Sequence, residues 1–260
     1  MSQVRIDVDA DNLLGRQFSE LERQNLPFAV LQAVNATAYE IRAQWERVAP
    51  RVFDRPTSLT RKAAMYRKAT KQRLFAEIFL RDEAFKGTPP AKYLAPQVEG
   101  GERRKKAFEV LLQRKGLMPA GQFAVAGRRA TLDAYGNVAA GQVRQILSQL
   151  QAGAEQGYVS NETAVSRTRR TRREARKFGR TYDYFVLNKR KGKLRPGIYE
   201  RSNDRSRAIR SIFIFTSRAT YRPRYDIFGL AQRQWDKLMP FFFNRELEKA
   251  LASSKYRGGA

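Results

Sequence analysis

The densest chemistry in this sequence is cationic. Between Arg167 and Arg180, eight of fourteen residues are basic: Arg167, Arg169, Arg170, Arg172, Arg173, Arg176, Lys177 and Arg180. A guanidinium group offers two parallel N–H donors to a phosphate, so such a run suits nucleic-acid backbones. It equally suits the carboxylates of an acidic neighbouring protein, and a solvated basic face with no ligand is the third reading. These eight residues form the candidate DNA- or partner-contacting site.

Other reactive groups are sparse. The chain has no His and no Cys, which removes imidazole acid-base catalysis, thiolate nucleophiles, disulfides and Cys/His zinc sites. Asp7, Asp9 and Asp11 form a spaced acidic run, but lack the Gly and Glu that complete a calcium loop. Gly100-Gly101 has neither the spacing nor the Lys-Ser/Thr pair of a phosphate loop. Ser253, Ser254 and Lys255 are out of register for a Ser-x-x-Lys nucleophile. Asp204, Asp226 and Asp236 sit among arginines, where salt bridging accounts for them. Carboxylates gathered around magnesium would be the one remaining route to a nuclease. The expectation is a non-enzyme, with no catalytic residue, metal or cofactor.

Sequence-specific reading of nucleic acid is not indicated, because no zinc-finger, basic-zipper or RNA-recognition spacing occurs. Tyr182, Tyr184, Tyr199, Tyr221 and Tyr225 lie near basic residues and could stack on bases, but are expected to pack a sheet. Arg103-Arg104-Lys105-Lys106 heads a predicted helix. Positive charge there opposes the helix dipole unless a carboxylate is close by.

The chain carries 51 basic and 25 acidic residues, a net charge of +26. That excess promotes association with polyanions by releasing their condensed counterions. Residues 161–260 hold 26 basic and 9 acidic residues, net +17, which biases the charge toward the second part of the chain. An apolar content of 42% over 260 residues is enough for one sizeable domain, or for one domain carrying an insertion. No apolar run is long enough to span a bilayer. The opening residues Met1 to Asp7 lack an apolar signal-peptide core, so assembly in the cytoplasm is expected.

The elements that must position the basic residues follow from periodicity. Leu14, Phe18, Leu21, Phe28, Leu31, Val34, Ala38, Ile41 and Trp45 recur at helical spacing, with Pro27 expected to divide two helices. Pro50 and Pro56 end that run. Ser58 to Arg61 is expected to open a short helix capped by Ser58 or Thr57, and Leu74–Leu80 reads as a strand. After the break at Gly87–Pro90, residues 88–160 read as a helix-rich insertion. Helices are expected at Lys105–Lys115 and Gly141–Gln151, with short strands at Gln122–Ala126 and Ala130–Leu132. Residues 161–180 form the Arg-rich segment, expected to repel itself and stay mobile when alone in water. Tyr182–Leu187, Gly197–Arg201 and Ala208–Thr216 predict an antiparallel meander. Phe228 to Ala252 predicts a closing helix with Leu230, Trp235, Leu238, Phe242, Leu247 and Leu251 inward, kinked or split at Pro240. Phe241, Phe242 and Phe243 cannot share one helix face, so at least one is expected to meet a neighbour.

The resulting class is α+β: a long N-terminal helix, an antiparallel sheet of about four strands with a C-terminal helix packed on it, and the insertion. Residues 1–87 and 181–260 together complete the core domain.

Several segments resemble a known family. Ala33-Val34-Asn35-Ala36-Thr37-Ala38 is similar to a stretch in the first long helix of the phage minor tail proteins of the Z type, within the tail-completion and head–tail joining group. Ser58-Leu59-Thr60-Arg61-Lys62 and Leu74–Leu80 stand where that family has a basic element followed by a strand. Tyr221-Arg222-Pro223-Arg224-Tyr225-Asp226-Ile227-Phe228-Gly229-Leu230-Ala231 looks like its closing turn and helix. The resemblance spans roughly 25–80 and 180–252 and does not extend over 91–160. It implies a structural virion protein of the neck or upper tail, a homo-oligomeric ring beside neighbouring neck and tail proteins and close to genomic DNA. The alternative reading is a sequence-independent nucleic-acid-binding protein.

Overall fold

The computed structural model describes residues 3–6, 20–85, 87–153, 161–179 and 181–257, with the backbone alone at 3–6, 20–24 and 254–257. Asp7, Asp9, Asp11, Leu14, Phe18 and Arg180 lie outside the described residues. The chain is α+β, as expected, and folds as two compact units: residues 1–101 with 221–260, and residues 102–220.

In the first unit a strand β1 (Gln3–Ile6) precedes the long helix α1 (Glu20–Val52), the short α2 (Ser58–Arg61), β2 (Ala64–Arg67), β3 (Ala76–Leu80) and α3 (Pro90–Val98). Alanines 29, 33, 38 and 49 alternate with Leu26, Val34, Ile41 and Trp45 along one buried stripe of α1. Such small side chains let a second helix approach closely. The strands pair antiparallel in the order β1-β3-β2, and Ala76, Ile78 and Leu80 of β3 point into the same core. Thr57 caps α2, its hydroxyl accepting from the Thr60 amide at 3.2 Å.

The two-residue strands β4 (Gly101–Glu102) and β9 (Thr220–Tyr221) fall on the division in sequence; in the second unit α4 (Ala107–Arg114), β5 (Phe123–Ala126), α5 (Ala140–Gln149) and α6 (Ala164–Phe178) lead to β6 (Tyr182–Leu187), β7 (Gly197–Ser202) and β8 (Ile209–Thr216). The long α7 (Ile227–Arg257) then returns to the first unit. The meander is present, and β5 adds to it to give a four-stranded antiparallel sheet in the order β5-β8-β7-β6. One face of that sheet, with Ile198, Phe213 and Phe215, buries against Leu112, Ile146 and Leu147 of α4 and α5.

Several sequence expectations need correction. Pro27 does not divide α1, which runs unbroken through it. The ring of Pro27 is exposed while Leu26 and Ala29 beside it are buried, so packing holds the helix together across one missing backbone bond. α7 is one helix through Pro240, which excludes the split of the two outcomes expected there. Of the inward set expected, Leu247 is buried and Leu230, Trp235, Phe242 and Leu251 are partly buried against the core, while the rest of the buried stripe is Ile227, Ala231, Met239, Phe243 and Ala250. α7 packs with α1 in the first unit, not on the four-stranded sheet. Residues 130–132 form no strand, only an isolated bridge between Leu132 and Val138.

The unit boundaries at 101/102 and 220/221 also differ from those drawn at 87/88, 160/161 and 180/181 in the sequence. The cause is the β5–β8 pairing, in which Phe123 stands opposite Thr216 and Ala126 opposite Phe213. One ladder therefore joins the inserted region to the meander.

Candidate polyanion-contacting surface

Within the folded chain the Arg-rich segment is a helix, α6, an element that the sequence reading did not assign. Local chemistry accounts for it. Thr163 accepts from the Ser166 amide, and Ser166 accepts in turn from the Thr163 amide at 2.8 Å, a reciprocal cap at the helix start. Gly179 ends the helix in the left-handed conformation, φ 67°. Arg176 and Lys177 occupy the last turn, where the helix dipole favours cations.

One charged residue of the cluster turns inward. Arg170 is buried and donates to Glu162 at 2.7 Å, Glu174 at 3.0 Å, the Tyr182 carbonyl at 2.7 Å and Asp183 at 3.2 Å. Burial disfavours its charge, yet Glu162 and Glu174 more than offset this and hold its pKa above the ordinary value. Glu174 also accepts from Gln145 at 3.0 Å and from the Tyr182 amide at 3.1 Å. Arg170 is thus consumed in bolting α6 to α5 and β6, and the sequence assignment of Arg170 to a contact site is corrected: no phosphate reaches it.

The remaining members divide simply. Arg167 is exposed but pairs with Glu162 at 3.1 Å. Arg169, Arg172, Arg173 and Arg176 recur at i, i+3, i+4 and i+7, are exposed, and form no ion pair among the described residues. Lys177 is exposed over the Phe178 ring, 5.2 Å from its centroid. The four free arginines stand on one face of α6, opposite the Arg170–Glu174 stripe, over roughly 10 Å of helix axis. Such a row can meet successive phosphates or carboxylates without reading bases.

The basic run before α4 has a different fate. Arg103 donates to both carboxylate oxygens of Glu109 and to the Ala124 carbonyl. Lys105 donates to the Gln122 carbonyl and covers the Phe123 ring at 3.9 Å. Glu109, fully buried, also accepts from the Lys106 amide at 2.6 Å and the Ala124 amide at 2.7 Å. Burial pushes the Glu109 carboxyl up, but Arg103 and these two amides outweigh it and hold it below the usual range. The positive charge at the start of α4 is therefore balanced by a carboxylate within the helix.

Four of the five tyrosines pack, Tyr182 against Phe178, whereas Tyr221 is exposed. Tyr199 is buried and stacks on Phe185, centroids 5.7 Å apart. Tyr184 packs against the second core, and burial pushes its phenol up to about 12. Tyr225 donates to the Trp45 carbonyl at 2.8 Å in the first unit. Asp226 pairs with Arg233 at 3.2 Å. Among the described residues no three carboxylates gather in a metal-ligating cluster, and no helix is long and apolar enough to cross a membrane.

Sequence reasoning misses a second basic cluster, made of Arg128, Arg129, Lys193, Arg195 and Arg210, which line one groove. Its members come from three separate segments that only the sheet brings together, so no linear run announces it. Counted by unit, residues 102–220 hold 27 basic and 9 acidic residues, net +18 of the chain's +26. Comparison of the chain with protein-family models, with curated proteins and with solved structures finds no match.

Proposed function

We propose that this chain is a non-enzymatic structural protein of a bacteriophage virion, a tail-completion or neck-ring component at the head–tail junction or upper tail. One observation carries the reading: the four short motifs similar to the Z-type minor tail proteins lie in a single compact unit, although residues 180–220 of the wider resemblance belong to the other. Residues 33–38 form the buried stripe of α1, 58–62 form α2 and its cap, 74–80 run into β3, and 221–231 lead into α7. Residues of those segments make specific contacts within that unit. Asn35 clasps the chain between β2 and β3, donating to the Ala69 carbonyl at 3.1 Å and accepting from the Ala69 amide at 2.8 Å. Thr37 touches Met239 of α7, and Tyr225 bonds α1 at Trp45.

In this role the protein acts mechanically and electrostatically. Copies assemble into a homo-oligomeric ring beside other neck and tail proteins in the infected host's cytoplasm, and the arginine face of α6 lies near the DNA path. Phe241, 59% exposed while Phe243 beside it is fully buried, supplies apolar surface for a neighbour. Mass spectrometry and cryo-electron microscopy of purified particles test the proposal. Several copies per particle at the neck or upper tail are expected, and particles lacking the chain would overturn it.

The exposed row Arg169, Arg172, Arg173 and Arg176 also supports a second reading, a free-standing nucleic-acid-binding protein without sequence preference. A monomer that binds duplex DNA with a steep salt dependence and is absent from particles would favour it.

A further inference from the structure

The outer side of the four-stranded sheet carries an open groove of about 830 Å³. Its floor is apolar, formed by Leu194, Tyr199, Ile209 and Ile214, and its lining includes five cations and no carboxylate. Two local devices place the rims. On one side the chain leaves β5 through Gly127, where a Cβ would lie 2.6 Å from the Ser211 carbonyl oxygen. Only glycine allows that approach, and it brings Arg128 and Arg129 against β8. There the Arg128 amide donates to the Ser211 hydroxyl at 3.3 Å and the Arg129 amide to the Ser211 carbonyl at 3.0 Å. On the other side Lys191 and Leu194 pair across a tight turn at Gly192-Lys193, which sets Lys193 at its tip. The Tyr199 hydroxyl donates to the Arg195 carbonyl at 2.7 Å and fixes the next residue of that rim.

The electrostatics are one-sided. Arg128, Arg129, Lys193 and Arg195 are exposed and form no ion pair among the described residues. Arg210 has a buried Nη1 with no hydrogen-bond partner, and Glu200, opposite it on β7, does not line the groove. A cleft lined by one sign of charge over a low-dielectric floor focuses its field and concentrates counter-ions. The buried Tyr199 offers no free ring for stacking, so the chemistry met here is that of phosphate oxygens rather than bases.

We propose that this groove is a phosphate-backbone site that holds duplex DNA without sequence preference, separate from the arginine face of α6. It stands on the geometry of the second unit alone and holds whether or not the chain is a virion protein.

The test is fluorescence anisotropy of the full chain with a labelled 24-base-pair duplex at several salt concentrations. Two double variants probe the rims, Arg128→Gln/Arg129→Gln and Lys193→Gln/Arg195→Gln. A triple variant in α6, Arg172→Gln/Arg173→Gln/Arg176→Gln, probes the other surface, and circular dichroism melts verify that each variant folds. Each lost phosphate contact lowers the salt slope by about 0.9, so each rim variant is expected to lower it by nearly two and to weaken binding on the order of 50-fold at 0.1 M salt. Rim variants that bind within twofold of the parent while the α6 variant fails would overturn the groove and leave the helix face standing. Labelled polyglutamate binding as tightly as DNA, and lost in the same rim variants, would also overturn it, making the groove a seat for an acidic protein segment.

Discussion

Replacing Arg170 by methionine separates the structural arginine from its exposed neighbours. The substitution removes a buried guanidinium and leaves its carboxylate partners unequally stranded. Asp183 is 44% exposed and keeps Asn203 as a donor, so it adds little. Glu162 keeps Arg167, and Glu174 keeps Gln145 and the Tyr182 amide, yet their side chains are only 6% and 7% exposed and lose their main counter-charge. Breaking a buried pair by removing one partner costs about 3–5 kcal/mol, and the surviving donors put this case near the lower end, about 3 kcal/mol. For a unit of this size that lowers Tm by roughly 10–15 °C. Differential scanning calorimetry of the full chain reads it, with Arg173→Met as the control because Arg173 is exposed and unpaired. A double variant, Arg170→Met/Glu174→Leu, removes one stranded carboxylate and is expected to recover part of the loss. At temperatures where Arg170→Met is folded, its salt slope for DNA should equal that of the parent. A Tm within about 2 °C of the control would refute the argument that Arg170 bolts α6 in place.

Glu109→Gln removes the counter-charge of Arg103 and is expected to destabilise by about 3 kcal/mol near neutral pH in urea titrations. The wild-type carboxyl sits below its ordinary range, so its contribution is present above the unfolded value of about 4.3 and is lost as pH falls through the folded one. The gap between wild type and variant should therefore close on acidification, and a gap that widens would contradict the assignment. Gly197→Ala would place a Cβ 2.3 Å from the Phe213 carbonyl oxygen, a backbone atom that cannot move without disturbing the β7–β8 pairing. A loss of about 2–3 kcal/mol is expected from the shift in the urea midpoint. Tyr225→Phe removes the 2.8 Å bond to the Trp45 carbonyl, and a loss of about 1 kcal/mol should appear in denaturation followed by tryptophan fluorescence.

What could be read from the sequence follows the range of the interactions involved. The α1 stripe from Val34 to Trp45 (though not Phe28, which is exposed), the capped α2, the three strands of the meander and the closing helix are local patterns of apolar spacing and turn residues, and each is present. Pro27 misled because tertiary packing holds a helix together across a missing hydrogen bond, and no local rule carries that information. α6 was missed as a helix for a different reason. Eight cations in fourteen residues predict self-repulsion, but Glu174 lies four residues beyond Arg170, and Glu162 precedes the helix at hydrogen-bonding distance from it. Two carboxylates in contact, together with a cap at each end, outweigh a charge count. Within the candidate site, the row Arg169, Arg172, Arg173 and Arg176 was legible as a helical face once a helix is granted. The inward turn of Arg170 was not, because it depends on Asp183 and Tyr182 of a strand that follows. The groove was least legible, since Ser211 joins Arg128 and Arg129 to β8 across more than eighty positions.

The partition of charge bears on how the proposed roles divide. The four short motifs behind the proposed role and the large α1–α7 core belong to the first unit, whereas the second carries a net +18 on fewer residues. Mutual repulsion at that density destabilises a compact fold unless the charges are paired or face an external polyanion. Arg103 and Arg170 are paired internally, and Arg167 is paired at the surface. The α6 row and the groove rims are not. The second unit thus holds together on its apolar core with a few buried ion pairs, and the α6 row and the groove are two of the places where its unpaired cations gather. On the proposed reading the first unit makes the ring and the second faces the DNA, so neutralising the α6 row and both rims should weaken DNA binding while leaving ring assembly intact by analytical ultracentrifugation. Loss of assembly in those variants would place the subunit interface on the basic unit instead.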